Sequence, residues 1–252
     1  MFKKIILPMI GGLVLGAILQ SKCKKLPIIG EMAPDFIAES TEGTIKFPEK
    51  YKGKWTVFFS HPADFTPVCT TELVAIQSAQ KEFAEMNVSL IGLSVDNLES
   101  HKKWIKSIEE SVNIDGCTDN IIKFPMIDDS KKQISKLYGM LPKKTDDTRT
   151  VRAVFIIDPN SIIRAVLYYP PCVGRNIEEI KRIVTALKTV DEFGVVTPAN
   201  WEIGNNVLLT SNSTNQISNY DERNGEINCS NWYLCFKNIS KDAIIEKIYS
   251  KK

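Results

Sequence analysis

The sequence lacks several features that would assign it at once to a class of protein. It has no Cys-x-x-Cys pair, and neither of its two histidines flanks a cysteine at zinc-ligand spacing, so we expect no structural metal. It has no excess of either charge, since 32 basic residues face 30 acidic ones and the net charge is +2. Because the basic residues are dispersed among the acidic ones, we expect no nucleic-acid partner.

The chain also lacks an apolar run long enough to cross a bilayer comfortably. The apolar segment at residues 5–19 falls short of the roughly 20 residues that a spanning helix needs. Lysines flank it on both sides, which fits a signal sequence or a membrane tether, and an apolar helix without a targeting role is the alternative. A cytoplasmic location is the preferred interpretation, with tethering or export through this segment as the other.

What is present is an ordinary globular composition, with 43% hydrophobic and 25% charged residues. The chain has six cysteines: Cys23, Cys69, Cys117, Cys172, Cys229 and Cys235. An even number can mark a disulfide framework, but that pattern belongs to short secreted chains, and 252 residues can bury a real core. Each cysteine therefore has to be judged by its surroundings.

Apolar runs and amphipathic segments alternate from residue 27 onwards. Strands are predicted at residues 55–60, 88–95, 152–158 and 162–168, and helices at residues 69–86, 98–112 and 176–189. This order indicates a layered α/β sandwich whose last strand pair is antiparallel. After Val196 the pattern fades, and Ser211–Gly225 is typical of a flexible arm. We divide the chain into an N-terminal segment (1–25), a main domain (27–190) and a C-terminal domain or arm (191–252).

Cys69 lies where a proline-containing loop leads from a buried strand into a predicted helix. Unpaired backbone N–H groups and the helix dipole favour a thiolate there, and the thiolate is the nucleophilic form of cysteine. Thr66 precedes it by one turn, and Arg152 opens a later strand that can bring a cation to the same place. A buried structural cysteine is the alternative, since that is the more frequent fate of a single cysteine.

The segment Ser60–Leu73, SHPADFTPVCTTEL, resembles the active-site signature P-x-x-x-T-x-x-C of the peroxiredoxins, in particular of their one-cysteine subfamily. Three further segments are similar to the same family: GEMAPDF (30–36), FPMIDD (124–129) and TVRAVFIID (150–158). With the Gly-Arg-Asn at 174–176, the resemblance covers about residues 27–240. It implies a thioredoxin-like sandwich with a C-terminal arm or small domain, and a thiol peroxidase for hydrogen peroxide and organic hydroperoxides that needs no cofactor.

The resemblance also implies roles for individual residues around the signature. Cys69 is the peroxidatic cysteine, which attacks the peroxide and becomes a sulfenic acid. Thr66 hydrogen-bonds the peroxide, and Pro62 shields the site. Arg152 stabilises the thiolate and orients the peroxide for attack.

Other polar residues are expected behind this group. The resemblance implies that Glu72 and Arg175 form an ion pair that holds Arg152. His61, beside the signature, has a side chain that can titrate near neutral pH, but a structural histidine held by hydrogen bonds is the preferred interpretation. His101 lies on an amphipathic helix, and we expect it on the solvated surface.

The C-terminal segment Asn224–Phe236, NGEINCSNWYLCF, resembles the tail of archaeal-type members of the same subfamily. This resemblance implies that Cys235 resolves the sulfenic acid of Cys69 from a neighbouring subunit, and that Cys229 exchanges with Cys235. A local disulfide between Cys229 and Cys235 is the alternative that the spacing allows.

The partners follow from the same resemblance. It implies a hydroperoxide substrate, a thioredoxin-like dithiol as reductant, and a homodimer that assembles into a ring of dimers, a decamer. A one-cysteine peroxidase without a resolving cysteine and a redox-regulated chaperone or sensor are the alternatives. A disulfide oxidoreductase is disfavoured because no Cys-x-x-Cys follows the first strand. Cys117, in a polar loop, and Cys172, after two prolines, are interpreted as incidental.

Overall fold

The computed structural model describes residues 26–112, 121–142, 149–210 and 227–249. Its strands are β1 (Phe36–Ala38), β2 (Ile45–Phe47), β3 (Trp55–Ser60), β4 (Val88–Ser94), β5 (Met126–Asp128), β6 (Arg152–Ile157), β7 (Ile163–Tyr169), β8 (Val207–Leu208), β9 (Ile227–Asn231) and β10 (Leu234–Lys237). Its helices are α1 (Pro67–Glu85), α2 (Leu98–Ser111), α3 (Gln133–Leu137), α4 (Ile177–Phe193) and α5 (Lys241–Tyr249), with a short 3-10 helix at Glu49–Tyr51. The N-terminal segment, Cys117 and the predicted arm Ser211–Gly225 lie outside the described residues.

A five-stranded sheet in the order β5-β4-β3-β6-β7 forms the centre of the molecule. Strands β5, β4 and β3 are parallel to one another, while β6 runs antiparallel to both β3 and β7. The predicted α/β sandwich with an antiparallel last pair is therefore confirmed. Because β3 and β6 are antiparallel neighbours, the end of β3 lies beside the beginning of β6, which brings the loop before Cys69 next to Arg152.

Both faces of the central sheet are covered, which is why its inner strands are uninterrupted apolar runs. Every residue of β3 and of β6 is buried. Successive side chains of a strand point to opposite faces, so Phe59 packs with Leu73 and Trp104, and Phe58 packs with Phe155 on the other face. Helices α1, α2 and α4 contribute to the first of these clusters. Two packed cores thus support the strands from which the site is built.

The C-terminal part of the chain contains a second, smaller layer of structure. Strands β8, β10 and β9 form a three-stranded sheet. A separate apolar cluster joins α4 to this part and includes Trp201, Val207, Ile244 and Ile248. The predicted C-terminal extension is therefore present, although the weak pattern after Val196 did not reveal its strands or α5.

Helix α4 is longer than predicted. It continues to Phe193, where Gly194 adopts a left-handed conformation (φ 63°) and donates its N–H to the carbonyl of Val190. Among the described helices none is both long and apolar enough to cross a membrane. The apolar segment 5–19 is not among the residues described.

Candidate active site

Cys69 lies in the first turn of α1 and is almost completely buried, with 1% of its surface exposed. The helix begins at Pro67, a residue suited to the first helical position because its fixed φ matches the helix and it has no N–H to satisfy. Thr66 precedes it in an extended conformation as the N-cap. The free N–H groups of a first helical turn favour negative charge, so a sulfur atom placed here is in a suitable environment for a thiolate.

The loop between β3 and α1 brings Pro62 and Thr66 to the same end of the helix. Pro62 is buried, whereas Thr66 is partly exposed. The Thr66 hydroxyl donates to the carbonyl of Ala63 over 2.9 Å, so its oxygen can still accept a hydrogen bond. Phe65, between them, has a positive φ of 53°, an unusual conformation for a bulky residue. The loop is therefore held in a specific shape just before the helix.

Arg152, the first residue of β6, contacts the sulfur directly. Its Nη1 donates to Sγ of Cys69 over 3.3 Å and to Oε2 of Glu72 over 2.6 Å. Its Nε and Nη2 both donate to the carbonyl of Pro171, over 3.1 and 2.6 Å. With 2% of its surface exposed, the guanidinium is a buried cation whose plane is set by three acceptors.

Glu72, one turn after Cys69 on α1, joins two arginines. Its Oε1 accepts from the backbone N–H and Nε of Arg175 over 2.7 and 2.9 Å, and its Oε2 accepts from Nη2 of Arg175 over 2.8 Å. Burial opposes ionisation of Glu72, but the charge and hydrogen bonds of Arg175, and then the charge of Arg152, hold its pKa below the usual value. The structure thus brings together Cys69, Arg152, Glu72 and Arg175 as one buried network.

His61 and His101 meet on either side of Asp64. The Nε2 of His61 lies 2.8 Å from Oδ1 of Asp64, and Nδ1 of His101 lies 2.9 Å from Oδ2. All three residues are buried. The prediction that His101 is a solvated surface residue is wrong: it is 0% exposed, because Asp64 supplies a buried acceptor for a polar side chain on the inner face of α2.

These three residues also form a cluster whose ligand atoms lie within 4.8 Å of one another. The cluster is a hydrogen-bonded network, since three of the four ring nitrogens contact oxygen atoms of Asp64 or of the Ile127 backbone. The interpretation of His61 as a hydrogen-bonded structural histidine agrees with this arrangement.

The remaining cysteines have different surroundings. Cys229 and Cys235 pair across β9 and β10 and form a disulfide, which is the local alternative that the spacing allowed. Cys69 and Cys172 are free thiols, and Cys172 is exposed. The structure therefore does not join Cys235 to Cys69, and the resolving role of Cys235 stays a prediction.

The turn between β9 and β10 carries two aromatic side chains into solvent. Trp232 and Tyr233 are 77% and 61% exposed, and their rings meet edge to face with centroids 5.4 Å apart. Large exposed rings of this kind often mark a surface that contacts another molecule.

Two contributors to the site were missed in the sequence. Asp64 sits three residues after His61, and this His-x-x-Asp spacing in a loop was the signal that could have identified it. The acceptor at Pro171 is a backbone carbonyl, so no residue type in the sequence indicates its role.

Two family comparisons cover most of the chain. Residues 29–166 match the AhpC/TSA family, and residues 186–223 match the C-terminal domain of 1-Cys peroxiredoxin. The first match covers the central sheet as far as the middle of β7, and the second covers the C-terminal half of α4 and part of the C-terminal extension.

Individual relatives give the same result. A peroxiredoxin from Methanosarcina mazei is 50% identical over 216 residues, covering 84% of this chain and 98% of its own. One from Methanocaldococcus jannaschii is 46% identical over 224 residues, covering 85% of this chain and all of its own. The solved structure of the yeast mitochondrial 1-Cys peroxiredoxin is 39% identical, covers 85% of this chain and all of its own, and superposes with a TM-score of 0.75.

Proposed function

Because the chain belongs to the peroxiredoxins of the AhpC/TSA family, which are thiol-dependent peroxidases, we propose that Cys69 is its peroxidatic residue. The observation that carries this assignment is the 3.3 Å contact between Cys69 Sγ and the buried guanidinium of Arg152 at the start of α1. A buried sulfur with a cation and a helix N-terminus beside it suits nucleophilic attack.

The proposed first step is attack of the Cys69 thiolate on one oxygen of the hydroperoxide. The S–O bond forms as the O–O bond breaks, Cys69 is oxidised to the sulfenic acid, and the departing oxygen leaves as water or an alcohol after taking a proton. Arg152 is placed to stabilise the charge that develops on the oxygens, and Thr66 to accept a hydrogen bond from the peroxide. Loss of a preorganised donor such as the guanidinium of Arg152 typically lowers the rate by about 10²- to 10³-fold.

The second step returns the sulfenic acid to the thiol. Cys235 attacks the sulfur of Cys69, water leaves, and a Cys69–Cys235 disulfide forms. Cys229 then attacks Cys235, which releases the Cys69 thiolate and leaves a Cys229–Cys235 disulfide for a thioredoxin-like dithiol to reduce. The disulfide between β9 and β10 supports this scheme because it is the expected end state. The yeast relative is described as resolved through glutathione and thioredoxin systems.

The proposed assembly is a homodimer that forms a ring of dimers, with Cys235 supplied by a neighbouring subunit. Strand β7 is an edge of the central sheet in the described chain, and edge strands offer unpaired backbone groups for pairing with another copy. The exposed Trp232 and Tyr233 would dock the C-terminal hairpin on that neighbour. We place the enzyme in the cytoplasm, with attachment through residues 5–19 as the alternative.

The assignment of Cys69 is tested by peroxide consumption with a small dithiol as reductant. We expect Cys69→Ser to lose turnover while keeping the circular dichroism spectrum of the folded enzyme. The matched control is Cys172→Ser, which changes an exposed free thiol and should leave turnover unchanged. Turnover by folded Cys69→Ser would refute the proposed function.

A further inference from the structure

Resting on the proposed role of Cys69, we propose that His101 is a positioning residue for the peroxidase reaction, holding the loop of residues 61–66 through Asp64 with a proton on each ring nitrogen. The residue lies in the first half of α2, outside the peroxiredoxin signature. Its influence on the reaction would pass through the loop, because it contacts Asp64 rather than Cys69.

The contacts of the imidazole determine where its protons are. Nε2 lies 3.0 Å from the backbone carbonyl of Ile127, and a carbonyl can only accept, so Nε2 carries a proton. Nδ1 lies 2.9 and 3.1 Å from the two carboxylate oxygens of Asp64. If Asp64 is ionised, Nδ1 must also donate, and His101 is then an imidazolium.

The surroundings of Asp64 favour its ionised form. Its Oδ2 accepts from the hydroxyl of Ser100 over 2.7 Å, and its Oδ1 from Nε2 of His61 over 2.8 Å. Burial opposes ionisation, but the hydrogen bonds from His101 and His61 hold the pKa of Asp64 well below its usual value. The carboxylate therefore has donors on both oxygens, and His101 is the cation that balances it.

This arrangement also sets the state of His61. Its Nε2 faces Asp64, whereas its Nδ1 is buried without a hydrogen-bond partner in the described chain, as suits a nitrogen that carries no proton. Burial lowers the pKa of His61 despite the nearby carboxylate, so the ring is neutral. One buried anion is thus shared between a cationic and a neutral histidine.

The network fixes the loop that leads to the nucleophile. The backbone N–H of Asp64 donates to Asp96 over 2.9 Å, and the hydroxyl of Thr150 donates to the carbonyl of His61 over 2.6 Å. Phe65, with its positive φ, follows directly and leads into Thr66. If Asp64 loses its cation, the constrained turn can relax and displace Thr66 relative to Cys69. A displacement of about 1 Å can cost about 10²-fold in rate.

The charge on His101 predicts a pH dependence. The groups facing it are three carboxylates, Asp64 from the loop, Asp96 from the segment before α2 and Asp128 from the end of β5, together with the neutral His61. Burial alone would lower the pKa of His101, but the hydrogen bond and charge of Asp64 raise it above the usual value. Because the pKa of His101 is raised, its contribution to holding the loop is complete at low pH and is lost as the pH rises through that pKa.

The test is the second-order rate constant for sulfenic acid formation, measured from pH 5 to 10 in a single turnover without reductant. We expect His101→Gln to react about 10- to 100-fold more slowly at pH 7. Its profile should also lack the alkaline decrease of the wild type, because glutamine does not titrate and donates from one end only. The matched control is Lys102→Gln, an exposed neighbour on α2, which should keep both the rate and the alkaline decrease.

Two kinetic results would overturn the proposal: a wild-type rate in folded His101→Gln, or a reduced rate with the alkaline decrease intact. If the variant does not fold, the ring ¹⁵N shifts of the wild type decide, since we expect His101 to be doubly protonated and His61 neutral at pH 7. A neutral His101 contradicts the proposal. These shifts do not depend on turnover, so they stay interpretable if the assignment of Cys69 fails.

Discussion

Arg152 divides its donors among a sulfur, a carboxylate and a backbone carbonyl. A planar guanidinium can satisfy three acceptors that lie in different directions, whereas the ammonium of lysine is a point charge on a flexible stem. The direction of the N–H donors at Cys69 therefore depends on the planar shape of the arginine side chain as well as on its charge.

We expect Arg152→Lys to keep a positive charge in the site yet slow sulfenic acid formation by about 10²-fold or more, because the donors are no longer aimed at the reacting oxygens. The measurement is the single-turnover rate with hydrogen peroxide at pH 7. Arg164→Lys is the matched control, since Arg164 pairs with Asp158 and Asp191 away from Cys69. Equal rates for wild type and Arg152→Lys would show that charge alone is sufficient.

Glu72 is the anion that balances two buried arginines, and its replacement tests the stability of the site. Glu72→Gln leaves both cations without a counter-charge, and breaking a buried ion pair in this way costs about 3–5 kcal/mol. We expect a correspondingly lower free energy of unfolding by urea titration at pH 7. Glu82→Gln removes one of the two carboxylates that pair with Lys181 at a partly exposed site, keeps an oxygen for the Tyr249 hydroxyl, and should cost under about 1 kcal/mol.

The same substitution should change the pH dependence of stability. The pKa of Glu72 is lowered in the folded enzyme, so its contribution is complete above the ordinary glutamate pKa of about 4.3 and is lost as the pH falls below it. The difference in unfolding free energy between wild type and Glu72→Gln should therefore shrink on acidification. A constant difference from pH 7 to pH 3 would contradict this explanation.

Secondary structure elements differ in how well the sequence predicted them, and the difference follows burial. Strands β3, β4 and β6 were predicted because both of their faces are covered, which requires continuous apolar runs. Strand β8 has two residues and β9 is largely exposed, so neither carries an apolar pattern. Helix α2 was predicted, but His101 was assigned to the solvated surface because it is polar, although its i, i+3, i+7 spacing with Trp104 and Ile108 places it on the buried side.

The candidate site was predictable to the extent that it is built from side chains in a local signature. Cys69, Thr66 and Pro62 share one loop and helix start. Arg152 lies beside Cys69 because β6 pairs with β3. The sequence does not show this strand order directly, and the expectation that Arg152 meets Cys69 came from the resemblance to the peroxiredoxins. The acceptor at Pro171 and the pairing of Asp64 with His101 depend on tertiary contacts alone.

At the scale of the whole molecule, the proposed resolution of the sulfenic acid requires the C-terminal hairpin and the active site to exchange electrons. Cys235 is 2% exposed and bonded to Cys229, while the hairpin turn carries Trp232 and Tyr233 into solvent. A reduced hairpin that docks on another subunit would raise the effective concentration of its thiol at the sulfenic acid.

We expect Cys235→Ser to form the sulfenic acid once at the wild-type rate, then to stall and overoxidise with excess peroxide. Thioredoxin-dependent turnover should be lost, as measured by consumption of reduced thioredoxin. Cys229→Ser treated with one equivalent of peroxide should show a dimer on non-reducing gels, because its Cys69–Cys235 disulfide cannot pass to Cys229, and Cys235→Ser should form no such dimer. Undiminished thioredoxin-dependent turnover by Cys235→Ser would identify a one-cysteine enzyme instead.

The contribution of the Pro171 carbonyl would be hard to detect in a mutational survey of this enzyme. It accepts two donors from Arg152, yet it belongs to the main chain. Replacing Pro171 by alanine deletes a ring and leaves that oxygen in place, so a scan of side chains would score the position as tolerant. Changes that move the backbone of this loop would instead be the ones that disturb Arg152, because they displace the carbonyl itself. A residue that tolerates replacement of its side chain can therefore still supply a main-chain atom that the active site needs.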